Sequence, residues 1–272
     1  MSKPITRKLL PSPVDSEWGR FAAADLSERY NVVAASCGDG GAGKTHFWLT
    51  APDPIAVFLF DPAGLKGLMT NPQFKHKDIR VINFYECVNL GSMREKAERA
   101  IASLDALQQF REDWKVALKK ARTVLWDKED HVWEMLRYAT NEDYSAEPKS
   151  YYECNMEYRG WFTDAETAGV NFGVIRGMKE KWGQTGTSRR TGQATYGGLG
   201  EYIPRGQKEV EELVQVNLSH RWDESQRAFI TTIMNKCRLG NAIELLGQEY
   251  ADLDFLTLAT MLYPDADPEV WA

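Results

Sequence analysis

The sequence predicts an α/β fold: a mostly parallel, twisted sheet flanked by helices, with antiparallel strands toward the C-terminus. Three observations lead there. Short apolar runs alternate with helix-length segments through the first two-thirds of the 272 residues, the pattern of strand–helix–strand crossovers that make strands parallel. A glycine-rich phosphate loop stands directly after the first apolar run, where such a sheet would present it. The composition, 43% hydrophobic and 26% charged, is that of an ordinary globular chain rather than a disordered or fibrous one.

Residues 1–30 carry Pro4, Pro11 and Pro13 ahead of a short amphipathic piece, Trp18 to Leu26. They read as an arm outside the core, with oligomerisation as its candidate role; the domain itself is expected over 31–272. The run from Asn31 to Cys37 is the first buried strand. Ile55 to Phe60 is the second and ends at Asp61; Ile79 to Tyr85 is the third. Ser92 and Glu95 have capping-box spacing and open a long helix reaching Ala121. Thr123 to Asp127 is the fourth strand, and helices are expected over 131–139 and 155–168 on either side of the polar loop 141–150. Val170 to Ile175 is the fifth strand. Seven of the twenty-four residues in 183–206 are glycine, which predicts a mobile loop rather than a helix or a regular strand. Val210 to Leu218 and Ala228 to Met234 read as a hairpin turning around His220 to Gln226. A helix over 251–262, closed by Pro264, ends the chain.

The charge balance is −6, with a pI near 5.4, so the chain as a whole does not attract polyanions and any nucleic-acid contact must come from a local basic patch. Cys37, Cys87, Cys154 and Cys237 form no C-x-x-C pair, which argues against a zinc site or a disulfide framework. No stretch approaches the roughly 18 apolar residues of a bilayer span. A cytoplasmic protein is expected, in the host cytoplasm if phage-encoded, with no membrane partner.

The sharpest motif is G-D-G-G-A-G-K-T, Gly38 to Thr45, which fits G-x-x-x-x-G-K-[ST] throughout. Gly38, Asp39, Gly40, Gly41, Ala42 and Gly43 let successive backbone N–H groups turn toward phosphate oxygens, aided by the positive end of a following helix. Lys44 would reach the β and γ phosphates. The Thr45 hydroxyl would ligate Mg2+, and His46 would adjoin the nucleotide. Expected cofactors are therefore ATP and Mg2+. Asp127, closing an apolar strand, suits a second metal-holding carboxylate, the alternative being a solvated strand end. Lys128 follows where many such enzymes carry a glutamate, so the residue that activates water must lie elsewhere. Asp61 is the first candidate, with a plain loop-start aspartate as its alternative, and Glu129 is the second.

In order, G-D-G-G-A-G-K-T (38–45), F-L-F-D (58–61), T-V-L-W-D (123–127), V-N-F-G-V-I-R-G-M-K-E-K-W (170–182) and F-I-T-T-I-M-N-K-C-R (229–238) resemble the core of the RecA-like P-loop ATPases. The closest likeness is to compact bacteriophage members that act in single-strand annealing and recombination. The resemblance implies a sensor near Arg176, where that family usually has glutamine. It implies that Lys236 and Arg238 reach the nucleotide of the adjacent subunit, their i, i+2 spacing placing both on one strand face. It implies a homo-oligomer with ATP at subunit boundaries, and single-stranded DNA held by the loop after the sensor. From Arg176 to Lys208 the local charge is +5, with Trp182, Tyr196 and Tyr202 interleaved, the ingredients of a sequence-tolerant single-strand binder. Lys179, Lys181, Arg189, Arg190 and Arg205 are its candidate phosphate contacts; the alternative is a solvated surface loop. Phe21 and Ala24 form an F-x-x-A spacing that some recombinases use between subunits. The rival functions are a nucleotide-switched assembly protein that binds no nucleic acid and a DNA-translocating motor.

Overall fold

The computed structural model describes residues 30–61, 65, 67–85, 95–140, 151–187, 194–237 and 240–271. Phe21, Ala24, Ser92, the loop 141–150, Arg189, Arg190 and Arg238 lie outside them.

Eight strands form one sheet, with β1 (Val33–Gly38), β2 (Ile55–Leu59), β3 (Ile79–Asn83), β4 (Thr123–Asp127), β5 (Asn171–Arg176), β8 (Val216–Asp223), β9 (Ala228–Cys237) and β10 (Glu249–Ala251) ordered β10-β9-β8-β1-β5-β4-β2-β3. The run from β8 to β3 is parallel throughout; β9 and β10 are antiparallel additions at one edge. β1, β4 and β5 are buried at every position. Buried on both faces, such strands carry continuous apolar runs, which is why they stand out in the sequence.

Helices α2 (Lys96–Lys120), α3 (Glu129–Thr140) and α4 (Tyr151–Ala168) cover one face. There Leu107, Phe110, Trp114 and Ala117 of α2 recur at three- and four-residue intervals and are buried. They pack around Trp126 of β4, whose ring centroid lies 5.5 Å from Phe110, 5.4 Å from Trp114 and 4.7 Å from Phe172. Edge-to-face pairing, as Trp126 makes with Phe110 and Phe172, adds about 0.5–1.5 kcal/mol per pair beyond area burial. The short α1 (Lys44–Leu49) and α6 (Phe255–Leu262) cover the opposite face through Phe47, Trp48, Phe255, Leu258 and Leu262.

Three expectations change. The glycine-rich 183–206 region is not irregular among its described residues: β6 (Met178–Thr187) and β7 (Ala194–Pro204) pair as a separate antiparallel ribbon. Glycine keeps both backbone pairing groups, and this ribbon buries no apolar face that would demand side chains; its register is broken between Glu180 and Trp182 and between Gln184 and Gly186. Val210 to Leu218 divides into a helical turn, α5 (Val210–Leu213), and the start of β8. Val210 and Val214 are both buried, four apart, a spacing that suits a helical turn better than a strand. Finally, Glu249 to Ala251 joins the sheet, and α6 starts only after Asp254, whose carboxylate accepts from the Thr257 N–H at 2.7 Å.

Candidate functional site

The phosphate loop leaves the C-terminal end of β1, in the middle of the sheet, and β5 separates it from β4. Gly43 has φ +89°, and a Cβ there would stand 2.6 Å from a ring carbon of Phe229; only glycine gives both the left-handed turn and the close approach. The following helix α1 starts where expected, with Gly43 as its N-cap, and has six residues.

Lys44 and Thr45 open α1 and face the end of β4. Lys44 Nζ donates to the carbonyls of Gly38 at 2.8 Å and Asp39 at 2.6 Å. Thr45 Oγ1 donates to Asp127 Oδ2 at 3.4 Å. Asp127 is 4% exposed; burial, with the Asp61 carboxylate adding to it, pushes its pKa up to about 6, while Lys44 and Lys128 pull the other way. Burial likewise lowers the Lys44 ammonium. Asp61, just past β2, pairs with Lys128 at 2.7 Å. All of these groups line one cleft of about 670 Å³. His46 lines it too, its ring 5.1 Å from Phe74 and 5.8 Å from Phe229.

Two expected site residues lie elsewhere. Neither Glu129 nor Arg176 lines the cleft. Glu129 is fully buried, accepts a short hydrogen bond from Tyr158 Oη and one from the Gln207 N–H at 3.2 Å, and lies 3.4 Å from Arg176 Nε. Burial pushes its pKa up to about 7 against the pull of Arg176. From that position its carboxylate does not meet a water at the phosphates. Arg176, 2% exposed, donates to the carbonyls of Arg205 at 2.7 Å and Gln207 at 3.0 Å. It ties β5 to the segment leaving the ribbon rather than pointing at the loop.

The basic residues divide as well. Lys181 is paired with Glu201 on the ribbon at 2.8 Å, and Lys179 stands one pleat away. Arg205 lies at the ribbon's root and lines the phosphate cleft, which its membership of a basic stretch gave no reason to expect. Lys236 lies within β9, its side chain not among those described, and Arg238 lies outside the described residues. Trp182, Tyr196 and Tyr202 are 72%, 69% and 64% exposed. Glu180 faces Tyr202 across the ribbon, Trp182 faces Gly198, and Gln184 faces Tyr196. Directly opposed residues share a face, so the three rings stand along one side.

A P-loop after a central parallel strand, an acidic strand end one position removed across the sheet, and antiparallel strands at the far edge make up the expected RecA-like α/β core. No protein-family model matches the sequence, and no curated protein does. Among solved structures, a KaiC-like protein of the hyperthermophilic archaeon Pyrococcus horikoshii is similar, at 12% identity and a TM-score of 0.39, over 81% of this chain and 84% of that one. A likeness of that degree decides nothing about chemistry, which rests on the residues of the cleft. No described helix is long and apolar enough to cross a membrane.

Proposed function

We propose that this chain is a Mg-ATP hydrolase that uses its nucleotide state to control a grip on single-stranded DNA, in recombination or annealing of the bacteriophage type. The observation that carries the ATPase reading is the convergence of Lys44, Thr45, Asp127 and Asp61 on the cleft at the phosphate loop. The loop amides and Lys44 bind the triphosphate, the ammonium exchanging its two carbonyl partners for phosphate oxygens. Thr45 and Asp127 would hold Mg2+. Their oxygens face each other at 3.4 Å at the mouth of the phosphate loop. The described residues contain no cluster of three or more His, Cys, Asp or Glu that could hold a metal; a Mg2+ ion held by one or two protein oxygens plus phosphates and water needs none. When bound, that ion neutralises charge on the β and γ phosphates. Asp61, ion-paired with Lys128, orients the attacking water and takes its proton.

Support for the DNA reading is the projecting ribbon, with three exposed aromatics on one face and Lys179 and Lys181, at the alternate positions of β6, on the other. Stacking on such rings contributes about 1–3 kcal/mol per base without selecting sequence. A homo-oligomer, with Lys236 and Arg238 completing a neighbour's site, belongs to the same reading.

Phosphate release with Mg-ATP, with and without oligo(dT), tests this. Mg-dependent turnover stimulated by the single strand and lost in Lys44→Ala supports it. Turnover that survives Lys44→Ala rejects the cleft. Indifference to DNA favours an assembly switch, and stimulation by duplex alone favours a motor.

A further inference from the structure

We propose that Arg205 is a catalytic residue of the nucleotide site, a cation supplied in cis from the root of the ribbon to the terminal phosphate. The inference rests on the ATPase reading above and adds a residue to it.

Four observations place it. Arg205 follows the last residue of β7 and lines the cleft together with Lys44, Thr45 and Asp127. Its position is fixed on three sides: its N–H donates to the Gly177 carbonyl at 2.8 Å, its Nε to the Met178 carbonyl at 2.9 Å, and its carbonyl accepts from Arg176 Nε at 2.7 Å. Next to it, Gly206 has φ +88°, and a Cβ there would collide with Glu129 Oε2, so the buried Arg176–Glu129 pair grips the segment from behind. Among the described residues no ion pair within 4 Å involves Arg205, whose charge is felt at longer range by Glu134 of α3, in contrast to Lys181 with Glu201 and Lys128 with Asp61. A guanidinium carries five N–H donors; Nε spends one on Met178, and the terminal nitrogens keep four.

Lys44 therefore approaches the phosphates from the β1 side of the cleft and Arg205 from the β5–β7 side. In the reaction the water oxygen bonds to the γ phosphorus and the bond from that phosphorus to the β–γ bridging oxygen breaks. Its electron pair stays with ADP, and the water proton passes to Asp61, leaving ADP and inorganic phosphate. Negative charge shifts onto the bridging and γ oxygens as the bond breaks, where a positioned arginine is most effective. Glu129 and Arg176 are positioning residues in this account: they hold the backbone that carries the cation. Whatever settles the ribbon settles Arg205, which gives turnover a direct dependence on what the ribbon holds.

The experiment compares wild type with Arg205→Ala and Arg205→Gln, the latter retaining a hydrogen-bonding side chain, each checked for an unchanged thermal midpoint. For both, kcat is expected to fall at least about 100-fold with KM for Mg-ATP within about threefold. Binding of a fluorescent ATP analogue should persist, while trapping of ADP with aluminium fluoride should be lost. A kcat within about threefold of wild type, or trapping that persists, overturns the proposal, and so does a parallel loss of nucleotide affinity. Mixing Arg205→Ala with Lys44→Ala should restore nothing; recovery would show the arginine serving a neighbouring copy and overturn action in cis. Were wild type itself to show no turnover, the failure would lie with the ATPase reading rather than with Arg205.

Discussion

The parallel sheet and the β6–β7 ribbon are opposite solutions to the same problem of placing aromatic side chains. Trp126 in β4 is 0% exposed and ringed by other aromatics, whereas Trp182 in β6 is 72% exposed. One is held by packing. The other is held by nothing within the described chain, and an exposed row of rings on a projecting ribbon is the kind of surface that marks a binding site. The difference separates what the fold needs from what function needs.

Substitution at those two tryptophans probes the contrast most directly. Trp126→Ala should lower unfolding free energy by about 3–5 kcal/mol, and Trp182→Ala by less than about 0.5 kcal/mol, both read from urea denaturation. A large loss for Trp182 would mean that the ribbon is part of the core after all. Next in size is Lys44→Ala, for which turnover should fall by roughly 10²–10³ while the unfolding midpoint holds.

His220 sharpens the comparison through pH. It is buried in β8, its ring nitrogens bonded to Ser36 Oγ at 3.0 Å and Thr231 Oγ1 at 3.1 Å. Burial, with Lys44 adding to it, depresses its pKa from 6.5 to about 3. Above pH 6.5 both the folded and unfolded states leave the ring neutral. Between about 6.5 and 3 the unfolded chain takes up a proton that the folded chain refuses, so stability falls with pH by up to about 1.4 kcal/mol per unit. Glu129 and Asp127, with pKa values raised to about 7 and about 6, take up protons in the folded state over the same range and oppose this loss equally in both proteins. Urea titrations at pH 7 and 5 should therefore show wild type losing stability relative to His220→Gln; an identical change in the two would contradict a buried neutral ring. The smallest effect belongs to the ribbon. Lys179→Ala with Lys181→Ala should leave stability alone and reduce the salt slope of single-strand binding by about 0.7 per cation lost. An unchanged slope would take both lysines out of the interface.

Legibility followed the same division. The phosphate loop could be read outright because its chemistry fixes residue type and spacing within eight positions. β1, β2, β4 and β5 could be read because strands covered on both faces must be apolar throughout. The ribbon was hidden: a strand pair with no buried face has no alternation to betray it, and its glycines resemble those of a loop. Glu129, Arg176 and Arg205 needed coordinates, since each role depends on a partner dozens of residues away. Arg176 stands where a sensor was expected, yet it is spent on Glu129 and two carbonyls. The sequence groups Arg205 with the ribbon by charge alone, and only the path of the chain past Gly177 brings it back to the phosphate-loop cleft.

One earlier feature constrains how the molecule can move. Trp48 Nε1 donates to Ser36 Oγ at 3.0 Å, and the same hydroxyl meets His220, so a side-chain bolt runs from the stub of α1 through β1 and β8 into β9. The wall of the pocket beneath the phosphate loop is thereby an anvil. The root of the ribbon, at Gly177, Met178 and Arg205, meets that pocket from the β5 flank instead.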